Sequence, residues 1–158
     1  MNSRRRYVSH SAQATEDLGG RLAAVLPSAA IVYLCGGLGA GKTTLARGLL
    51  RGLGIEATVR SPTYSLIEPY DLGSRRVLHI DLYRVSDPLE VEELGLADYR
   101  DAGTLWVVEW PEHGGAALPA ADLVIRLSAA STEERCLELE AYTPPGHETL
   151  AELSLPMS

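Results

Sequence analysis

Hydrophobic positions along this chain recur in two periods. From Ser11 to Leu26 the apolar residues Ala14, Leu18, Leu22 and Val25 fall on one face at helical spacing, and Pro27-Ser28 end the run. Ala30-Ile31-Val32-Tyr33-Leu34-Cys35 is continuously apolar and too short for a helix, so it reads as a buried strand. Thr43 to Leu53 returns to helical spacing with Leu45, Leu49, Leu50 and Leu53, and Gly52 and Gly54 close it. Ser65 to Tyr70 and Arg75 to Asp81 are extended runs around Asp71-Leu72-Gly73-Ser74, the pattern of a β-hairpin. A short helix is predicted over Pro88 to Leu94, with proline at its start and acids in its first turns. Buried strands follow at Thr104 to Glu109, Leu123 to Leu127 and Cys136 to Tyr142. Tyr7 to Ser9 is a short first strand, and residues 110–115 are a loop.

This alternation predicts an α/β domain with a mostly parallel sheet and some antiparallel strands. A single domain is expected over residues 1–143. Residues 144–158 are expected to be a C-terminal tail, with a short helix from Glu148 to Leu153 or none. In such a sheet, ligands bind beyond the carboxyl ends of the parallel strands.

Between the first buried strand and the second helix stands Gly36-Gly37-Leu38-Gly39-Ala40-Gly41-Lys42-Thr43, which matches G-x-x-x-x-G-K-[ST], the P-loop motif. Its glycines let backbone N–H groups close around phosphate oxygens, and the following helix aims its positive end at them. Lys42 is placed to reach the β- and γ-phosphates, and the Thr43 hydroxyl to ligate Mg²⁺. Lys42 is also the only lysine in the chain; the other thirteen basic residues are arginine. A compact ammonium on a flexible stem is what this loop requires and a planar guanidinium does not supply.

Two predicted strands end in acids, Val77-Leu78-His79-Ile80-Asp81 and Leu105-Trp106-Val107-Val108-Glu109. Either suits the Walker-B role of holding Mg²⁺, and each is also explained as an acid that caps a strand end. Together they suit a division of metal binding from water activation. Asn2 is the sole asparagine, so the Asn-Lys-x-Asp guanine motif has no place, and ATP is the expected nucleotide. Ser61-Pro62-Thr63-Tyr64-Ser65 lies where nucleotide switches are found, and Trp110, after Glu109, either walls the site or packs in the core.

The net charge of −7 argues against a broad basic surface that grips nucleic acid unaided. No apolar run is long enough for a membrane span, and no apolar segment of a secretory signal follows Arg4-Arg5-Arg6. Cys35 and Cys136 stand far apart and read as structural thiols of a reducing compartment; a cytoplasmic protein is expected. The histidines have no zinc-ligand spacing, and no G-x-S-x-G marks a serine nucleophile.

Taken in order, Leu38-Gly39-Ala40-Gly41-Lys42-Thr43-Thr44, Ser61-Pro62-Thr63-Tyr64-Ser65-Leu66, His79-Ile80-Asp81-Leu82-Tyr83-Arg84 and Val108-Glu109-Trp110-Pro111 resemble the bacterial TsaE family. The resemblance covers roughly residues 7 to 128. It implies a P-loop NTPase three-layer sandwich and a Mg²⁺-dependent ATPase, weak alone, in the machinery that makes threonylcarbamoyladenosine on tRNA. It implies TsaB and TsaD as partners, with tRNA met only through that complex. Leu38, Gly39, Ala40, Gly41, Lys42, Thr43 and Thr44 would bind ATP, with Trp110 beside it and Gln13 a further contact. Thr43 and Glu109 would hold Mg²⁺. Lys42, Asp81, Glu109 and Thr63 would carry catalysis, Thr63 from a switch-like loop.

The chain departs from the family twice. Gly36-Gly37 stands where Gly-Asp is common, and Ser131-Thr132 stands in place of a Gly-Arg pair, leaving Arg135 as the nearest basic substitute. The alternative function is a small-molecule P-loop kinase; the lack of an arginine-rich lid segment counts against it.

Overall fold

The computed structural model describes residues 4–56, 66–100 and 103–153. Among these residues seven strands form one sheet: β1 (Arg4–Ser9), β2 (Ala30–Cys35), β3 (Ile67–Asp71), β4 (Arg76–Asp81), β5 (Thr104–Glu109), β6 (Leu123–Ala129) and β7 (Arg135–Ala141). Their spatial order is β1-β7-β6-β2-β5-β4-β3. The centre, β6-β2-β5-β4, is parallel, while β3 and the β7-β1 pair add antiparallel margins. The four α-helices among the described residues are α1 (Ala12–Val25), α2 (Lys42–Gly52), α3 (Pro88–Glu92) and α4 (Pro144–Glu152).

The central strands read as unbroken apolar runs because both faces of the sheet are covered. Along β5, Leu105 and Val107 join one core with Leu18 and Leu22 of α1, Leu45 and Leu49 of α2, and Leu150 of α4. Trp106 and Val108 point to the opposite face, where Val91 of α3, Leu96 and Leu118 enclose a second core. Period two therefore assigns Val77, His79 and Asp81 of β4 to the α1–α2 side.

Glycines on both helices set how closely α1 and α2 approach. A Cβ on Gly48 would lie 1.9 Å from the Glu16 carbonyl oxygen, and one on Gly19 would lie 2.5 Å from the Leu45 oxygen. The backbones touch where other residues would hold them apart, so α2 and the loop before it are held in a narrow range of positions.

The expected hairpin forms as β3–β4, closed by Leu72 N–H donating to the Arg75 carbonyl at 2.9 Å. Pro69 is tolerated because β3 is an edge strand. β1 begins at Arg4, three residues before the expected start, since its pairing with β7 sets Arg4 opposite Glu140 and Arg6 opposite Glu138. Polar residues on the open side hid that strand. The helix predicted over 88–94 ends at Glu92, and 3₁₀ turns at Leu96–Tyr99, Pro111–His113 and Gly115–Ala117 replace expected coil. The final segment forms α4, four residues earlier than the predicted helix. Thr143 caps it by accepting from Gly146 N–H, and Leu150 and Leu153 enter the core. Arg5 secures its end by donating to the Leu150 and Leu153 carbonyls at 2.8 and 3.1 Å. No helix among the described residues is long and apolar enough to cross a membrane.

Candidate nucleotide site

β2 delivers the chain to Gly36 at the carboxyl edge of the sheet, and the chain turns there into α2. Gly36 has φ +151°, and a Cβ there would meet the Leu127 carbonyl oxygen of β6 at 2.4 Å, so only glycine fits. Gly41 caps α2 in the left-handed region with φ +103° and no side-chain hydrogen bond. No acid occupies the first turn of α2, so its leading amides meet no side-chain carboxylate of their own helix. Gly37 has nothing within 4 Å of a Cβ position. A side chain such as aspartate would therefore fit here, and the glycine leaves this position uncharged.

This loop forms one wall of a cavity of about 310 Å³. Residues Leu38, Gly39, Ala40, Gly41, Lys42, Thr43 and Thr44 line it on one side. Asp81 and Glu109 line it from the ends of β4 and β5, Tyr83 and Trp110 from the residues just after them, and Arg135 from β7. Residues from four regions distant in sequence thus converge at the carboxyl edge of the parallel strands.

Lys42 is folded back onto its own loop. Its Nζ donates to the Gly36 carbonyl and, at 3.0 Å, to the Gly37 carbonyl, and lies 3.8 Å from the centre of the Trp110 ring. Desolvation lowers its pKa below the ordinary value of 10.5, opposed by the charges of Glu109, Glu112 and Asp81. Trp110 reaches this position through a left-handed backbone, φ +58° and ψ +49°, uncommon for a bulky residue and typical of functional sites. Tyr83 and His113 flank its ring, with centroids 5.0 and 5.4 Å away.

The two acids stand in different surroundings. They are register partners on adjacent parallel strands. Glu109 is 2% exposed; its Oε1 accepts from Thr43 Oγ1 at 3.1 Å and its Oε2 lies 2.7 Å from His79 Nε2. Asp81 is half-buried, and its Oδ1 accepts from the Tyr83 N–H at 3.0 Å. One hydroxyl beside one carboxylate is the protein donor set that Mg²⁺ uses when phosphate and water complete its shell. Among the described residues no cluster of three His, Cys, Asp or Glu side chains is poised to hold a metal alone.

The remaining expected residues lie elsewhere. Gln13 sits on α1 and donates to Asp17 Oδ1 at 2.8 Å, one helical turn on; it faces a separate hollow shared with Glu16 and Arg51. Thr63 lies outside the described residues. Sequence reasoning passed over two side chains and named a third, Arg135, only as the nearest basic substitute. Tyr83 walls the cavity from within a motif already noted. His79 touches Glu109, which its period-two relation to Asp81 hinted at. The Arg135 stem lies 3.6 Å from a Cβ position on Gly41, and its Nη1 donates to the carbonyls of Ser131, Thr132 and Glu134 at 3.0–3.2 Å. The hairpin that lacks the family's Gly-Arg pair thus still presents a cation to the loop.

The model of the family described as "Threonylcarbamoyl adenosine biosynthesis protein TsaE" matches residues 9–137. The tRNA threonylcarbamoyladenosine biosynthesis protein TsaE of Haemophilus influenzae is 42% identical over 126 residues, 80% of this chain and 79% of that one. The protein of the same name from Treponema pallidum is 33% identical over 130 residues, 82% of this chain and 96% of that one. The crystal structure of YdiB from Bacillus subtilis superposes with a TM-score of 0.82 at 28% identity, covering 97% of this chain and 95% of the other.

Proposed function

Because this chain belongs to the TsaE family and so to tRNA threonylcarbamoyladenosine biosynthesis, we propose that it is the Mg²⁺-dependent ATPase of that process, a three-layer P-loop NTPase acting with TsaB and TsaD in the cytoplasm. The observation that carries the reading is the convergence of the Gly36–Thr43 loop, the Thr43–Glu109 contact and Lys42 on one cavity. Bound Mg·ATP supplies a phosphoanhydride whose developing negative charge the cation helps to neutralise.

The chain's own residues do the rest. The loop amides from Gly39 to Thr44 bind phosphate oxygens at the positive end of α2. Lys42 exchanges its two carbonyl acceptors for phosphate, and an adjacent anion returns its depressed pKa upward, which favours the charged form. Thr43 and Glu109 hold the cation. Asp81, at the more open position, orients the attacking water and accepts its proton. Trp110 covers Lys42 and excludes water from it, and Arg135 adds a second cation near Gly41. Thr63 is the proposed link between nucleotide state and the partner interface.

The test is tRNA modification in a reconstituted system containing TsaB and TsaD. Multiple-turnover threonylcarbamoylation is expected only with this chain present and ATP consumed, and Lys42→Ala is expected to abolish it. Full modification with the chain omitted would overturn the proposal.

A further inference from the structure

The geometry points to His79 as a positioning residue for Glu109, fixing one carboxylate oxygen so that the other stays turned to Thr43 and the cation. This rests on the reading of the cavity as a Mg²⁺–nucleotide site. His79 is fully buried on β4, and its Nε2 lies 2.7 Å from Glu109 Oε2. The contact is diagonal across a parallel pair: Asp81 is the register partner of Glu109, and His79 precedes it by two residues on the same face.

Two features make this more than a buried polar contact. First, the terminal torsion of a glutamate is broad and nearly two-fold, so the bond from Thr43 to Oε1 does not by itself set how Oε2 is turned. A second partner on Oε2, carried by a rigid strand, removes that freedom before any ligand arrives. Second, His79 Nδ1 is buried without a hydrogen-bond partner. A buried orphan N–H is rarer than an under-used acceptor, so the proton belongs on Nε2, which donates to Oε2. The whole donor capacity of the ring is then directed at Glu109. A partner of this kind on a metal-binding carboxylate typically changes metal affinity by about 10–100-fold when removed.

The experiment follows tryptophan fluorescence in the full chain, to which Trp110 at the cavity and Trp106 in the core contribute, measuring ADP affinity in EDTA and then the Mg²⁺ midpoint at saturating ADP. His79→Leu keeps the volume and removes the donor. It is expected to raise the Mg²⁺ midpoint at least about tenfold, with ADP affinity in EDTA changed by less than about twofold. His79→Gln, whose amide nitrogen reaches about as far as Nε2, is expected to return the midpoint to within about threefold of wild type. A folded His79→Leu with the wild-type midpoint, or an equal loss in both measurements, overturns the inference.

Should His79→Leu not fold, ¹⁵N spectroscopy of the wild-type imidazole decides. The Nε2–H tautomer, with an Nε2 resonance that moves when Mg²⁺ joins the ADP complex, is expected. An Nδ1–H tautomer, or a resonance indifferent to Mg²⁺, overturns it. A wild-type protein that binds no ADP fails the reading of the cavity and this inference with it. Normal wild-type binding beside an unaffected His79→Leu fails this inference alone.

Discussion

Gly48→Ala tests how α2 is held, and hence how Lys42 and Thr43 are aimed. The new methyl carbon would sit 1.9 Å from the Glu16 carbonyl oxygen, with the Glu16 carbonyl carbon at 2.7 Å and Cα at 2.9 Å. All three are backbone atoms, so no side chain can swing aside. Relief needs the helices to separate by about 1 Å against a close-packed core. Overpacking of this kind costs about 1–3 kcal/mol or more, against a gain near 1 kcal/mol from replacing a mid-helix glycine by alanine. A 1.9 Å approach to backbone puts the cost at the upper end of that range, so the expected net loss is about 2 kcal/mol, or several degrees in Tm for a chain of this size. Gly20→Ala is the control on the facing helix. Its Cβ would meet only the Gly48 oxygen, at 4.0 Å, so the propensity gain stands nearly alone and stability should rise by about 0.5–1 kcal/mol. Urea unfolding of both variants decides. Equal effects, or a stabilised Gly48→Ala, would refute the close helix crossing.

Three further outcomes are expected. Glu109→Gln retains shape and can still bond Thr43 and His79, so Mg²⁺-dependent ATP turnover should fall at least about 100-fold, close to 2.7 kcal/mol of barrier, while nucleotide affinity in EDTA changes little; a larger loss for Asp81→Asn with Glu109→Gln active would reverse the two roles. Arg135→Ala should weaken ATP binding about tenfold without unfolding the chain, and calorimetry showing no change would remove Arg135 from the site. Glu140 accepts from Tyr142, Arg4 and Arg126, which hold its carboxyl down to about 2 from the ordinary 4.5; its contribution to stability is therefore complete above about pH 4.5 and lost as pH falls through about 2, and a carboxyl NMR titration with an ordinary midpoint would refute it.

What the sequence made legible was what depends on short spacing. The Gly36–Thr43 loop, its flanking strand and helix, and the acids closing β4 and β5 each sit within a few residues of their structural cause. Features created by pairing distant segments were not legible. β1 looked three residues long because its partner, β7, lies some 130 residues away and the alternation on its open face is polar. The His79–Glu109 contact exists only through the register of β4 on β5, which no local pattern states. Arg135 meets Gly41 because β7 folds back beside β6, which itself borders β2. Gln13 shows the reverse: an ordered position in the chain suggested a ligand contact, while its helix turns the side chain to Asp17.

The most direct test of the central claim is calorimetric titration of ATP with Mg²⁺ into the wild-type chain and into Lys42→Ala. Lys42 opens α2 at the cavity, and its side-chain bonds are to two carbonyls of the preceding loop, so its removal should leave the circular dichroism spectrum unchanged. Loss of a desolvated phosphate-directed charge should cost about 2–5 kcal/mol, at least about 30-fold in Kd. Saturable binding at one site per chain is expected, with that loss in the variant. A wild-type chain that does not bind Mg·ATP, or equal affinity in Lys42→Ala, would contradict it.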